Sequence, residues 1–560
     1  MDKNNRLLSV IKAFSELDLD PRTIDNVKMG YIFEELIRKF SENAEAGDHY
    51  TGRDIIKLMV NILLAEGCDD IFDDGKVITI LDQACGTGGM LSTGYNFIKR
   101  YNPSADVRLF GQEINPESYA MCLAEMLIKG QNAENICYQD TMKADRFKGT
   151  KMRFVLENPP FGTAWGGKDA AEGVEDAVNT EYQKGFDGRW GAGLPGSGDM
   201  QMLFLQSAID KMDDNFGRAA IVENGSPMFN GQTASGESQI RRWMLESDLI
   251  EAIIALPTDL FYNTGIATYI WVLSKNKRPE RKGKIQLIDA STFFKKLRKA
   301  LGDKKNEISP EDRSAVTKLY ADFAENEYCK IYRNEEFIYR EYTVMQPLQR
   351  SYAITEERIQ VMVSKGALDS LYNEVKFADL ELMEDRDGKA QKQLNKFFVG
   401  KPIYDAILAD LNHAISDTVW MSPDAFMPHL TEVLSKATTD KKLLEKIADG
   451  LSVMDKNAEI QRDRKGNVVY DKETKDTELV KWEESIEDYM AREVLPHIPD
   501  AAAFFEENLG AKKPVIKTGA EIPFTRYFYK YQQPIASEEL EAKFSELELS
   551  VSERVAQLFE

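Results

Sequence analysis

Apolar residues over the first 47 positions recur with helical spacing, at Leu7, Leu8, Ile11 and Phe14 and again at Ile32, Phe33, Leu36, Ile37 and Phe40. Ile55, Ile56, Met59, Val60 and Leu63 carry the same period, which predicts an amphipathic helix over 53–65. From Val77 the texture changes to short apolar runs separated by helical patterns. These runs predict strands at Val77–Asp82, Val107–Gly111, Ile136–Gln139, Phe154–Glu157, Arg218–Glu223, Leu249–Leu256, Tyr269–Ser274 and Lys284–Ile288. The alternation predicts an α/β domain with helices packed on a parallel sheet. Ala219-Ala220-Ile221-Val222 is apolar throughout, as a strand covered on both faces requires. Between Gly162 and Ser197 the chain is rich in Gly, Asp and Ala and lacks periodicity, which predicts a long, mobile loop. Past residue 290 the pattern is mostly helical, with an exposed hairpin over 461–476 turning near Lys465-Gly466-Asn467. From Ser537, Leu540, Phe544, Leu547, Val551 and Leu558 follow at gaps of 4, 3, 4 and 7 residues, the narrow seam of a coiled-coil helix. No internal repeat is found.

Composition narrows the class. With 560 residues, 43% hydrophobic and 10% aromatic, the chain can bury sizeable cores and is not disordered as a whole. Its length suits about three or four structural units. The formal charge is −22, so the chain is not expected to wrap nucleic acid by itself; any DNA contact is local or shared with a more basic partner. Cys68, Cys85, Cys122, Cys137 and Cys329 form no CxxC pair, and the four histidines are scattered, so neither a disulfide framework nor a metal site is expected. The N-terminus has no signal-peptide core, and no apolar run is long enough to span a bilayer. A reducing, cytoplasmic location is therefore expected, with no membrane contact.

Residues 78–91 read ITILDQACGTGGML. A strand ends at Asp82, the turn Gly86-Thr87-Gly88-Gly89 follows, and a helix begins. Glycines let a ligand approach the backbone, and the helix start offers unpaired N–H groups. The next strand leads to Gln112-Glu113, where a carboxylate can bind both hydroxyls of a ribose. No Gly-Lys-Ser/Thr follows the turn, so this is not a P-loop. Asp82, four residues before Gly86, suits a cationic ligand such as the amino acid part of S-adenosylmethionine better than a pyrophosphate.

Residues 154–161 read FVLENPPF. Pro159 and Pro160 make a stiff turn without backbone donors. The Asn158 side-chain oxygen and the Pro159 carbonyl can accept from one amino group, while Phe161 stacks on the ring that bears it. Such a pair suits the exocyclic amine of a flipped base. The bland alternative is a strand-ending turn. Cytosine C5 chemistry, which needs a nucleophilic cysteine usually after proline, is disfavoured because no cysteine here follows one. Cys85 reads as a small residue packed beside the glycine turn.

Together the two motifs resemble those of DNA amino-methyltransferases. Further segments extend the likeness over nearly the whole chain: Met29-Gly30-Tyr31-Ile32-Phe33-Glu34-Glu35-Leu36, Gly47-Asp48-His49-Tyr50-Thr51-Gly52-Arg53, and residues 217–231, 235–275, 283–290 and 521–531. The chain resembles the methylase (M) subunits of type I restriction–modification systems. That resemblance implies a Rossmann-like methyltransferase sheet of seven mostly parallel strands, the last antiparallel. It implies an N-terminal helical domain over 1–48, a catalytic domain over 49–290, a mostly helical extension over 291–536, and a partner-docking helix over 537–560. The implied activity is that of an adenine-specific DNA methyltransferase, with S-adenosylmethionine as donor and N6 of adenine as acceptor. A separate specificity (S) subunit chooses the sequence, two M subunits clasp one S subunit on double-stranded DNA, and a restriction (R) subunit can join.

The residues carried over are Asn158, Pro159, Pro160 and Phe161 for catalysis. Asp82, Ala84, Gly86, Thr87, Gly88 and Gly89 are assigned to the methionine moiety and Glu113 to the ribose. Asp140 and Thr141 are placed beside the cofactor's adenine, and Asp48, His49, Tyr50, Thr51, Gly52 and Arg53 are assigned to cofactor binding, with Tyr50 and Thr51 closing over the methionine end. The sequence departs from the family pattern at Gly52, Arg153, Glu157 and Gly196. Arg153 and Glu157 flank the catalytic strand and motivate one alternative, a weakly active scaffold of a defence complex. The other is a methyltransferase of a protein glutamine or of RNA. The basic runs Lys275–Lys284 and Lys295–Lys299 can meet phosphates or stand as solvated charge. The C-terminal seam can dock on a partner or on the chain's own helical region.

Overall fold

The computed structural model describes residues 51–262, 264–383, 387–529 and 537–556, together with Lys12, Ser15 and Glu16. The helices read over 1–47, the residues Asp48, His49 and Tyr50, and Leu558 lie outside these. The chain divides into two units, residues 1–339 with 481–483 and 509–560, and residues 340–480 with 484–508.

The helical period over 53–65 folds as α1, Arg53–Ala65, which buries Ile55, Ile56, Leu58, Met59, Val60, Ile62 and Leu63. Two more helices matter for the site: α2, Gly89–Tyr101, and α3, Pro116–Ile128. Asn115 caps α3, its Oδ1 accepting from the Glu117 and Ser118 amides, and Pro116 takes the first turn, where no donor is needed.

Each predicted strand forms: β1 Val77–Asp82, β2 Asp106–Glu113, β3 Ile136–Tyr138, β4 Phe154–Glu157, β5 Arg218–Asn224, β6 Ile250–Ala255, β7 Thr268–Ser274 and β8 Lys284–Asp289. Three more in the first unit are β9 Lys295–Leu301, β10 Lys304–Glu307 and β11 Cys329–Arg333. Among the described residues the main sheet has nine strands, in the order β11-β8-β6-β7-β5-β4-β1-β2-β3. β1 pairs in parallel with β2 and β4, and β4 with β5. β7 is antiparallel between β5 and β6. The seven strands from β3 to β6 form the expected methyltransferase sheet. β8, parallel to β6, and β11, antiparallel to β8, extend it.

Two apolar clusters cover the sheet. One gathers α1 with Ile78, Ile80, Leu91, Phe154, Leu156 and Ile254; the other gathers Leu81, Val155, Ile221, Ile253 and Trp271. Alternate residues of β1 and β4 serve different clusters, which is why these strands read as continuous apolar runs. The chain reverses direction across the sheet at β1, between β2 and β4. Ligands of open α/β sheets bind at the carboxyl ends of strands at such a switch point.

The stretch 162–197 corrects the expectation of a mobile loop. It contains the helix Val174–Tyr182 and packs around Trp165, Val174, Val178 and Trp190 with Met142, Leu203 and Phe204. Two buried indoles compensate for the weak local pattern, and the Met200 N–H closes the excursion by donating to the Thr163 carbonyl at 3.0 Å. The second unit has a helical core of Ile359, Ile407, Phe426, Leu430, Leu444 and Ile447. There the hairpin forms as predicted, Arg462 bridging Val468 with Gly466 at φ +88°. No described helix is long and apolar enough to cross a membrane.

Candidate active site at the carboxyl edge of the sheet

β1 delivers Asp82 and the glycine turn, β2 delivers Glu113, and β4 delivers Asn158, all to one edge. The turn is closed by the Gly88 N–H donating to the Cys85 carbonyl at 2.7 Å, and it is tied to β2 by the Cys85 N–H donating to the Gln112 carbonyl at 3.0 Å. Gly88 has φ +80°, and a Cβ there would lie 2.7 Å from Cys122 Sγ. Gly86 also has positive φ, but a Cβ there would meet no atom within 4 Å. The first glycine thus keeps the turn open on its ligand side, and the second lets α2 pack against α3.

Glu113 shapes the same turn. Its Oε2 accepts from the Gly86 N–H at 2.7 Å and its Oε1 from the Asn115 N–H at 2.7 Å. A carboxylate has about four lone-pair sites, so one such group can serve both a turn and a ligand's hydroxyls. Asp82 is buried, with Oδ1 accepting from the Ala84 N–H at 3.0 Å. Burial, reinforced by the nearby Glu113 charge, pushes its carboxyl up to about 8. Cys85 is a packing residue: its contact with Cys122 and its burial push the thiol well above the usual cysteine range.

Thr141 is buried and donates from Oγ1 to the Gln83 carbonyl at 2.6 Å. Asp140 Oδ1 accepts from the Met142 N–H at 2.9 Å. Gln112 donates to Thr141 Oγ1 and the Ala144 carbonyl and accepts from the Arg146 N–H, so it fastens the turns after β2 and β3 together. Arg189, from the folded excursion, donates to the Thr141 and Met142 carbonyls. Sequence reasoning did not find these two roles. Arg189 gives no local signal, and Gln112 was noted only beside Glu113.

Asn158 donates from Nδ2 to Thr51 Oγ1 at 2.9 Å, which brings the segment before α1 onto the Asn-Pro-Pro-Phe turn. Arg53 donates from Nη2 to both oxygens of buried Glu125 on α3, at 2.8 and 3.0 Å. Gly52 caps α1 without a side-chain bond. Phe161 is buried within the cluster that holds α1.

The two departures beside the catalytic strand prove unlike each other. Arg153 precedes β4, at the end away from Asn158. Its guanidinium donates to both Asp70 oxygens, at 2.7 and 3.2 Å, and to the carbonyls of Gly67 and Phe216. Glu157 stands next to Asn158 and is fully buried; the Gln83 N–H lies toward its carboxyl, but neither oxygen makes a hydrogen bond of full geometry. Glu223, on β5, is also fully buried, and its oxygens make none either. Burial pushes the Glu157 carboxyl well above the usual range, reinforced by Asp82; burial does the same to Glu223, reinforced by Asp199 and Glu157. Gly196 is held by its backbone, its N–H donating to Glu237 at 2.6 Å and its carbonyl accepting from Trp165 Nε1.

A glycine turn with two flanking carboxyls, beside an amide on a proline turn, is an arrangement that can take a nucleotide-like ligand and an amine. The chain matches the N-6 DNA methylase family over residues 25–358 and belongs to it. It is 30% identical to the MjaVII type I restriction enzyme methylase subunit of Methanocaldococcus jannaschii over 301 residues, 53% of this chain and 48% of that one. It is 30% identical to the HindI methylase subunit of Haemophilus influenzae over 267 residues, 47% of this chain and 54% of that one. The chain thus spans about half the length of the curated relatives it matches. The crystal structure of a type I restriction–modification methyltransferase subunit from Streptococcus thermophilus is similar at 26% identity and a TM-score of 0.48, over 59% of this chain and 64% of that one.

Proposed function

We propose that this chain is the modification subunit of a type I restriction–modification complex, acting in the cytoplasm and transferring a methyl group from S-adenosylmethionine to N6 of adenine in DNA. The observation that carries the reading is the convergence of Asn158, clasped by Thr51, with Asp82, Glu113 and the open Gly86 turn at one switch point. S-adenosylmethionine, when bound, supplies a methyl group made electrophilic by its sulfonium. Asp82 and the turn 86–89 hold its amino acid end, Glu113 the ribose, and Asp140 and Thr141 border the adenine. The Thr51 contact sets the orientation of the Asn158 amide, so that Oδ1 and the Pro159 carbonyl accept the two N–H groups of the target amine. Its nitrogen lone pair then faces the methyl donor, and orientation supplies most of the rate. No enzyme nucleophile is required, in keeping with the packed Cys85.

Calorimetry with S-adenosylmethionine tests the cofactor half. Glu113→Ala removes a charged acceptor, and the loss of one such bond, worth about 1.5–3 kcal/mol, lowers affinity roughly ten- to a hundredfold. Unchanged affinity means the ribose lies elsewhere. The pH dependence is a second check. Below about 8 the free protein keeps Asp82 protonated, and a cationic ligand must displace that proton. Affinity therefore rises with pH by up to about tenfold per unit to a maximum near about 8 and falls again above it, where the ligand's own ammonium loses its proton. A flat profile removes Asp82 from the ammonium site.

The partner reading rests on the C-terminal helix Ser537–Ala556, where Leu540, Phe544, Leu547 and Val551 are all exposed. We propose that this seam docks on the helical pair of the S subunit, in a complex of two M subunits and one S that an R subunit can join. Deleting 537–560 should leave cofactor affinity intact and abolish co-purification of the S subunit. A truncated chain that still assembles moves the docking element elsewhere.

A further inference from the structure

We propose that the two-stranded ribbon β9–β10 grips the phosphates of duplex DNA beside the target base. The proposal rests on the adenine-DNA reading above and assigns a surface to it.

The chain as a whole is strongly acidic, yet residues 295–307 carry six basic side chains against two acidic ones. Lys295, Lys296, Arg298, Lys299 and Lys305 are exposed. The ribbon is antiparallel, with Glu307 opposite Lys295 and Asn306 opposite Lys296, and it turns at Gly302, φ +63°. A Cβ at Gly302 would lie 2.3 Å from the Tyr262 carbonyl oxygen, so the turn is pressed against that backbone.

Its attachment places it at the site. β10 lies along the segment after β6: the Asp303 N–H donates to the Tyr262 carbonyl at 2.8 Å, and the Lys305 and Asn306 N–H groups donate to the Asp259 carbonyl at 2.9 and 3.1 Å. β6 runs parallel to β8 and antiparallel to β7, so its carboxyl end shares the edge with Asp82 and Asn158. Lys304 is the buried anchor. Its Nζ donates to both Asp54 oxygens, at 3.1 and 3.0 Å, and to the Leu260 carbonyl at 2.9 Å. Asp54 opens α1, three residues from the Thr51 that holds Asn158. One short chain of contacts thus joins the ribbon to the amide assigned to the target amine, while β9 faces outward with its cations.

The other basic run contrasts on both counts. It follows β7, whose antiparallel direction puts it at the opposite edge. Most of its cations are paired or buried: Lys275 pairs with Asp214, Lys277 with Asp248 and Arg278 with Glu66, while Arg281 is buried and donates to Gln286; of the ribbon's exposed cations, Lys305 pairs with Asp259. Outward, unburied cations at the site edge match a polyanion, and phosphate contacts of this kind position a duplex without reading its sequence.

The test uses the full chain and a fluorescent 30-bp DNA duplex (on the order of three helical turns) titrated at several salt concentrations. One variant replaces Lys295, Lys296, Arg298 and Lys299 by Gln; a control replaces Lys282 and Lys284 by Gln. The ribbon variant should lose at least about tenfold in duplex affinity at low salt, with a shallower salt slope by about 0.9 for each phosphate contact removed. Its S-adenosylmethionine affinity should equal that of the wild type, and the control should bind DNA normally. Equal affinity and slope in ribbon variant and wild type overturn the proposal, as does a wild type that binds no duplex or prefers single-stranded RNA. Ribbon-dependent duplex binding by a chain that transfers no methyl group supports the ribbon and overturns the methylation reading alone.

Discussion

Asn158→Ala should leave S-adenosylmethionine affinity within about twofold of the wild type and lower methyl transfer at least about a hundredfold. The variant deletes the amide's bond to Thr51. A single neutral hydrogen bond is worth about 1 kcal/mol, too little to unfold the unit. The loss instead falls on the target amine. Without Oδ1 one of its two acceptors is gone, and the lone pair is no longer held in line; misplacement of about 1 Å can cost a hundredfold. Because the proposal assigns the amide to the target amine and not to the cofactor, the effect should appear in kcat rather than in cofactor affinity. A variant that methylates at the normal rate would remove Asn158 from catalysis. One that loses cofactor binding in parallel would show that the amide supports the site as a whole.

The second large effect concerns stability. Glu157 and Glu223 are buried without hydrogen bonds of full geometry, and burial raises both carboxyls well above the usual range. The folded protein therefore keeps two protons that the unfolded chain releases near pH 4.3. Their stabilising contribution is complete below that pH and is lost as pH rises toward the folded values. Each group that stays protonated makes stability fall by about 1.4 kcal/mol per pH unit in this window. Glu157→Gln with Glu223→Gln keeps the shape and removes the titration. At neutral pH the double variant should unfold several degrees above the wild type, and the two curves should converge near pH 5. Thermal unfolding followed across that range decides it. A variant less stable than the wild type at neutral pH, with an unchanged pH profile, would mean that both carboxylates are paired in solution. Glu157 lies next to Asn158, so the wild type keeps this destabilising group at the working end of β4.

Much of this arrangement was legible because the strands are buried on both faces. Such strands are apolar runs, and the polar residue that ends each run, Asp82, Glu113 or Glu157, marks the edge where the site forms. Asn158 could be placed because proline cannot continue a central strand. The β9–β10 ribbon was not legible as structure, since Lys-Lys-Leu-Arg-Lys has neither period, and β10, which holds β9, is itself held by backbone bonds to residues 259–262, far away in sequence. The excursion over 162–197 looked mobile for a related reason: its order comes from Trp165 and Trp190 packing on distant side chains. Arg153 looked like a defect in the catalytic strand because a linear sequence does not show which end of the strand a residue occupies. Its partners, Asp70 and the carbonyls of Gly67 and Phe216, account for it as a structural anchor.

The central claim is tested most directly by mapping modified bases in the DNA of a host that expresses this chain with its neighbouring reading frames. The account predicts N6-methyladenine at one sequence with the wild type and none at that sequence with Asn158→Ala. Methylation that persists with the variant, or DNA that carries no modified adenine with either chain in an assembled complex, would contradict it.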